Sequence, residues 1–229
     1  MIMAKKLIDN TGLTLVELLI VMFIMGVLTV VVIVNFRHGT YMNDLKQAST
    51  ELLQNLRLAQ QYTIGGNSIN YCRAGSSINE YGICIDDASC GGAVDSCHNG
   101  VPLGGYAINV ASTENYQLFG DTDENEILSS PDYRVIEKNI FLKGIHLNRY
   151  KFGTDSGSGT QPSAENFIVV RFSPPEGTVH FYEGASGAES TEATLTLLLK
   201  SDYLTNNCRE VTINRVSGQV SEVSSGCSL

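Results

Sequence analysis

The run GLTLVELLIVMFIMGVLTVVVIVNF, from Gly12 to Phe36, constrains this chain more than any other feature. Between Leu18 and Val34 only Gly26 and Thr29 are not apolar, and with Leu13 to Val16 added the run reaches the roughly 20 residues that cross a bilayer as a helix. The expected span is 13–36. Glu17 lies inside its N-terminal end, where an unpaired carboxylate is costly and simple anchoring gains nothing from it. A charge in that place calls for a partner. A secretory signal would carry a small-residue cleavage site after its apolar core, and 30–36 offers none.

The string Gly12, Leu13, Thr14, Leu15, Val16, Glu17, Leu18, Leu19 resembles the class III signal of type IV pilins and pseudopilins: a short basic leader, Gly, an apolar residue, then Glu fifth. In that family a prepilin peptidase cuts after the Gly and methylates the new N-terminus. The resemblance therefore implies a leader at 1–12, cleavage between Gly12 and Leu13, N-methylation of Leu13, and a role for Glu17 in assembly with other pilin or pseudopilin subunits. Lys5 and Lys6 would hold the leader on the cytoplasmic side. Gly26 matches a frequent helix-weakening Gly, and Val34 stands where the family often has Pro.

Beyond the span, Arg37, His38, Gly39 and Thr40 interrupt the apolar run, and Asn43 offers a cap for a restart. Leu45, Ala48, Leu52, Leu56 and Ala59 then recur at helical spacing, and Gly65-Gly66 end the pattern. An amphipathic helix is expected over 37–66, with its apolar face on a sheet built from 67–229. In that region the period is strand-like. Candidate strands are 69–72, 81–85, 106–110, 116–119, 134–136, 167–172, 178–182, 193–199 and 209–214, with a closing hairpin turned at Val216 to Val220. The fold class is α+β and pilin-like: a long N-terminal helix, transmembrane and then amphipathic, packed on an antiparallel sheet domain outside the cytoplasm. ELLQNLRLAQQYTIGG, RFSPPEGTVHF and CREVTINRVSGQVSE are similar to the helix end, F-x-P-x-G strand and closing hairpin of GspH/FimT-type pseudopilins.

Cys72, Cys84, Cys90, Cys97, Cys208 and Cys227 all lie beyond the span, and an even count there points to disulfides in an oxidising compartment. Short spacing favours Cys90–Cys97 and Cys208–Cys227, leaving Cys72 with Cys84. A zinc site is disfavoured, because no C-x-x-C pair occurs.

The formal charge of −9 argues against strong non-specific nucleic-acid binding; removing a leader with Lys5, Lys6 and Asp9, net +1, leaves −10. Bases cluster at Arg134, Lys138, Lys143, Arg149 and Lys151, a stretch that reads as a solvated pair of strands. His98 and His146 fall in loops and His180 in a strand, none in a catalytic pattern, and Gly91-Gly92 and Gly104-Gly105 read as turn glycines. No enzyme is expected. One cofactor is weighed: in FGDTDENEILSSPDY the residues Asp121, Asp123, Asn125, the Ile127 carbonyl, Ser129 and Asp132 fall at the ligand positions of a twelve-residue calcium loop. Glu126 at the sixth place and Pro131 depart from an EF-hand, and an acidic turn is the plainer reading.

The leading expectation is a structural subunit, a minor pilin or pseudopilin held in the cytoplasmic membrane by a single pass and assembled into a pilus or secretion pseudopilus. The alternatives are a DNA-binding minor pilin and a membrane-tethered, calcium-dependent adhesion module.

Overall fold

A computed structural model of the chain describes residues 14–74, 80–84, 95–100, 104–110, 112–121, 133–153, 160–163, 166–184 and 187–227. One helix, α1 (Leu15–Ile64), is followed by strands β1 (Ile69–Ala74), β2 (Glu80–Ile83), β3 (Asp95–Gly100), β4 (Gly105–Val110), β5 (Asn115–Asp121) and β6 (Tyr133–Ile140). Then come β7 (Ile145–Phe152), β8 (Ile168–Ser173), β9 (Thr178–Glu183), β10 (Ala188–Ser190), β11 (Thr194–Ser201), β12 (Cys208–Asn214) and β13 (Val220–Ser225). The chain divides into two compact units, residues 1–40 and 41–229.

In the first unit, the described part of α1 presents apolar side chains to every side, from Leu15 to Phe36, with none of them buried. A helix that is apolar all round cannot be a surface helix of a globular protein. Its length and composition suffice to cross a membrane.

The second unit holds the core. Leu45, Ala48, Leu52, Leu56 and Ala59 lie on one helix face and are buried, as their spacing predicts. Among the described residues the strands form three antiparallel sheets, ordered β2-β1-β3, β10-β9-β8-β4-β5-β6 and β13-β12-β11-β7. The helix face shares one cluster with the two larger sheets, through Tyr106, Ile108, Leu118, Val170, Phe172 and Phe181 of one and Leu147, Leu195, Leu197, Leu199, Val211 and Ile213 of the other. Alternation along β4 and β8 gives the six-stranded sheet a second apolar face, where Ala107, Phe119, Val169 and Tyr182 pack together.

The helix ends as Gly65-Gly66 predict. Gly66 takes φ 59°, Asn67 N–H donates to Tyr62 O at 3.0 Å and Gly66 N–H to Thr63 O at 3.3 Å, a Schellman cap. Buried Thr63 ties this end to the sheet: its Oγ1 lies 3.0 Å from both Ala59 O and Phe172 O and accepts from Tyr106 N–H at 3.1 Å.

Several expectations need correction. The helix does not restart at Asn43, because Arg37 to Thr40 remain helical and Thr40 Oγ1 donates to Phe36 O at 3.1 Å. Polar residues alone do not break an i→i−4 ladder; a Pro would, and Val34 is not one. Strands β3, β7 and β10 were not among the candidates, and His98 and His146 accordingly lie in β3 and β7 rather than in loops. β6 and β7 belong to different sheets, and Ile145, Leu147 and Tyr150 are buried, so this stretch is not a solvated pair.

The pairing of two cysteines also differs. Cys84 is bonded to Cys97, not Cys97 to Cys90 or Cys84 to Cys72. Strand order decides this. β2 and β3 flank β1, Cys84 N–H donates to Asn70 O at 3.3 Å, and Asn70 faces Asn99 of β3, which brings Cys84 to 5.8 Å Cα–Cα from Cys97. Cys208 and Cys227 are joined across the closing hairpin, whose strands pair Cys208 with Ser225.

Candidate functional site

The site is the start of α1. Gly12 and Leu13, the residues on either side of the expected cut, lie outside the described residues. From Thr14 onward the geometry is that of a capping box: Thr14 N–H and Oγ1–H both donate to Glu17 Oε2 at 3.0 Å, and Glu17 N–H donates to Thr14 Oγ1 at 3.3 Å. Thr14 is thus the N-cap and Glu17 the third helical residue. The T-x-x-E spacing of Thr14 and Glu17 is the sequence signal of this box. One carboxylate oxygen is engaged by Thr14, and Glu17 remains exposed, the sole acidic side chain of the first helical turn and followed by the apolar run from Leu18 to Met25. Gly26 has open space where a Cβ would stand, with no atom of another described element within 4 Å.

The motifs likened to pseudopilins act as spacers at the other end of the helix. Gly177, at φ 69°, closes the turn between β8 and β9, and a Cβ on it would meet Ile64 Cγ1 at 2.9 Å. Gly218, at φ 64°, turns the β12–β13 hairpin, and a Cβ there would meet Gln60 Nε2 at 2.5 Å. Both glycines let a turn reach φ > 0 and lie against the last helical turns. β13 is held to the helix as well: Glu222 Oε1 accepts from Ser49 Oγ at 2.5 Å and sits 3.4 Å from Arg209, Glu222 Oε2 accepts from Thr50 Oγ1 at 3.3 Å, and Arg57 donates to Val220 O at 3.2 Å.

The candidate calcium ligands fare unevenly. Asp121 ends β5, is 8 % exposed, and its Oδ2 lies 3.1 Å from the Arg171 guanidinium of β8. Within the described residues this carboxylate is thus the partner of an arginine. Asp123, Asn125 and Asp132, with Ile127 and Ser129, lie outside the described residues, as do Cys90 and the Gly91-Gly92 pair. Gly104 and Gly105 are more than turn glycines. β4 runs between β5 and β8 under the Asp121–Arg171 pair, and a Cβ on Gly104 would strike Asp121 Oδ2 at 2.1 Å while one on Gly105, at φ 88°, would strike Phe172 O at 2.0 Å.

The bases of the C-terminal region are spent within the fold. Arg209 faces Glu222, while Arg215 donates to Ser190 O at 2.7 Å and pairs with Glu189, which also meets His180 Nδ1 at 2.9 Å. Among the described residues no group of His, Cys, Asp and Glu could hold a metal ion.

Among the described residues, two tyrosine hydroxyls are shifted upward. Burial, and then the neighbouring Tyr62, push the Tyr106 hydroxyl up to about 12, where it donates to Asn67 O at 2.6 Å. Burial and the Glu183 carboxylate, 2.7 Å away, raise Tyr150 as well. Both are neutral hydrogen-bond donors in the fold.

Residues 9–33 match the family model described as the prokaryotic N-terminal methylation motif, the cleavage motif of type IV prepilins. Comparison with curated proteins and with solved structures gave no match. The match covers the N-terminal segment alone, and what it supports is the processing motif of a type IV pilin-like subunit at the start of this chain. Such a motif implies processing by prepilin peptidase and assembly with other pilins, and with the single apolar helix it suggests membrane anchoring.

Proposed function

We propose that the chain is a minor pilin or pseudopilin of the GspH/FimT type, cut between Gly12 and Leu13, methylated on Leu13 and assembled into a type IV pilus or a type II secretion pseudopilus. One observation carries the reading: Glu17 is exposed at the start of an apolar helix, and among the described residues Thr14 engages one of its two carboxylate oxygens. A carboxylate in hydrocarbon is tolerated where a positive partner meets it, and the new amine of Leu13 on a neighbouring subunit supplies that charge. The closing hairpin and the Phe172–Gly177 turn, one residue longer than F-x-P-x-G, are both seated on the end of the helix through glycine, and this placement is what supports the subtype. Mass spectrometry of the protein from membranes tests the processing. A mature N-terminus at methylated Leu13 is expected, and an intact Met1 or a cut beyond Phe36 would contradict it.

A further inference from the structure

The turn between β6 and β7 and the turn after β11 meet at one end of the unit 41–229. Asp202 N–H donates to Gly144 O at 2.9 Å, and a Cβ on Gly144 would strike the Tyr203 ring at 2.3 Å. That ring stacks on Tyr41 with centroids 4.4 Å apart. Tyr41 is the first residue of this unit and follows Phe36, the last residue of the apolar run, by five positions. Five helical residues rise only about 8 Å, and the headgroup region of each leaflet is itself about 5–8 Å deep. Chain connectivity alone therefore keeps Tyr41, and the ring stacked on it, at the membrane surface.

The side chains exposed at this end suit that place. Ile140 is 70 % exposed, Leu142 37 % and Tyr203 49 %, and Lys143 is exposed beside them. Ile140 and Leu142 line one groove together with Lys143, His146, Glu114 and Asp202. Two aliphatic side chains on one turn gain nothing from facing water, whereas aliphatics flanked by Tyr and Lys are the composition of a membrane–water interface. We infer that the Ile140–Leu142–Tyr203 patch rests on the phospholipid headgroup layer of the membrane that the chain's own helix crosses. The contact is apolar in character. Glu114 offsets Lys143, and Asp202 lies 3.3 Å from His146, so the patch carries no excess of positive charge and needs no anionic lipid.

The inference rests on the membrane-anchored reading, and one experiment separates the two. The chain contains no Trp, so a single introduced Trp is an unmixed reporter. The full-length variants Leu142→Trp, Ile140→Trp, Val27→Trp and Val216→Trp are reconstituted in phosphatidylcholine vesicles whose acyl chains are brominated near the headgroup. Val216 is 88 % exposed and sits on the hairpin that packs on Gln60, roughly 28 Å along the helix from Tyr41. Trp at 142 and at 140 should be quenched on the order of fivefold more than Trp at 216, as expected for a ring at the interface. The result should be the same with phosphatidylglycerol added and at raised salt. Quenching at 27 with 142 and 140 no different from 216 overturns the patch and leaves the anchor standing. No quenching at 27 overturns both. Emission at 142 that shifts blue only as the protein-to-lipid ratio rises, without quenching, assigns the patch to a second copy of the chain instead.

Discussion

Asp121 and Arg171 meet at 3.1 Å on the far face of the six-stranded sheet, each 8 % exposed, bridging over β4 from the strands on either side of it. Tyr182 lies under the guanidinium, 5.2 Å from ring centroid to Cζ. The pair is formed from β5 and β8, some 50 residues apart in the chain. Removing one partner leaves the other charge buried, which costs about 3–5 kcal/mol. Asp121→Ala should therefore lower the unfolding free energy of the detergent-solubilised protein by that order, in EDTA as much as in calcium. A loss seen only with calcium present would make Asp121 a metal ligand first and an ion-pair partner second.

The glycines rank by what a methyl would strike. Gly105→Ala meets the backbone oxygen of Phe172 at φ 88° and has no side chain to push aside, whereas Gly218→Ala meets only the flexible end of Gln60. Positive φ alone costs an L-residue roughly 1–2 kcal/mol. Gly218→Ala should cost about that much, Gly177→Ala somewhat more against Ile64, and Gly105→Ala the most, as midpoints of urea unfolding would report. Equal losses at the three positions would contradict the ranking.

The Cys208–Cys227 bond closes the hairpin that carries Glu222 to Ser49 and Thr50. Cys227→Ser should destabilise by roughly 3 kcal/mol through the freed loop. It should also shrink the effect of Glu222→Ala, because an edge strand loosened at its end holds its side chains less firmly. A double-mutant cycle with no coupling would show that β13 stays seated without the bond.

Tyr106 gives the fold an alkaline limit. Its folded pKa of about 12 lies above the unfolded value of about 10, so the folded state keeps its proton longer. The stabilisation is complete below about pH 10 and is lost as pH rises toward 12. Tyr150, also raised, acts in the same direction. Melting temperature should fall over that interval, and Tyr106→Phe should flatten the fall. An unchanged slope in the variant would assign the limit to other groups.

What the sequence disclosed and what it hid follow from range. The helix stripe and most core strands rest on local periodicity, and Leu45 to Ala59, Tyr106 and Phe172 are buried as that periodicity requires. β3 reads DSCHNG and β10 reads AES, neither with an apolar alternation to find. β7 was obscured by a bulge: its buried residues step from Leu147 to Tyr150, and the register against β11 shifts at Leu198/Leu199. Cys84–Cys97 and Asp121–Arg171 depend on strand order, which no spacing along the chain encodes. At the helix start the reverse holds, since Thr14 and Glu17 are three residues apart and their box is wholly local.

Glu17 carries the central claim, and a conservative pair of variants tests it most directly. Gln can still accept from Thr14 in a capping box but carries no charge, while Ala can do neither. Incorporation into filaments is measured for wild type, Glu17→Gln and Glu17→Ala in cells, beside Gly12 cleavage and membrane insertion. If Glu17 meets the amine of a neighbouring subunit, both variants should be inserted and cleaved normally, and both should fall well below wild type in assembled filaments. Wild-type incorporation of Glu17→Gln would contradict this and reduce Glu17 to a helix cap.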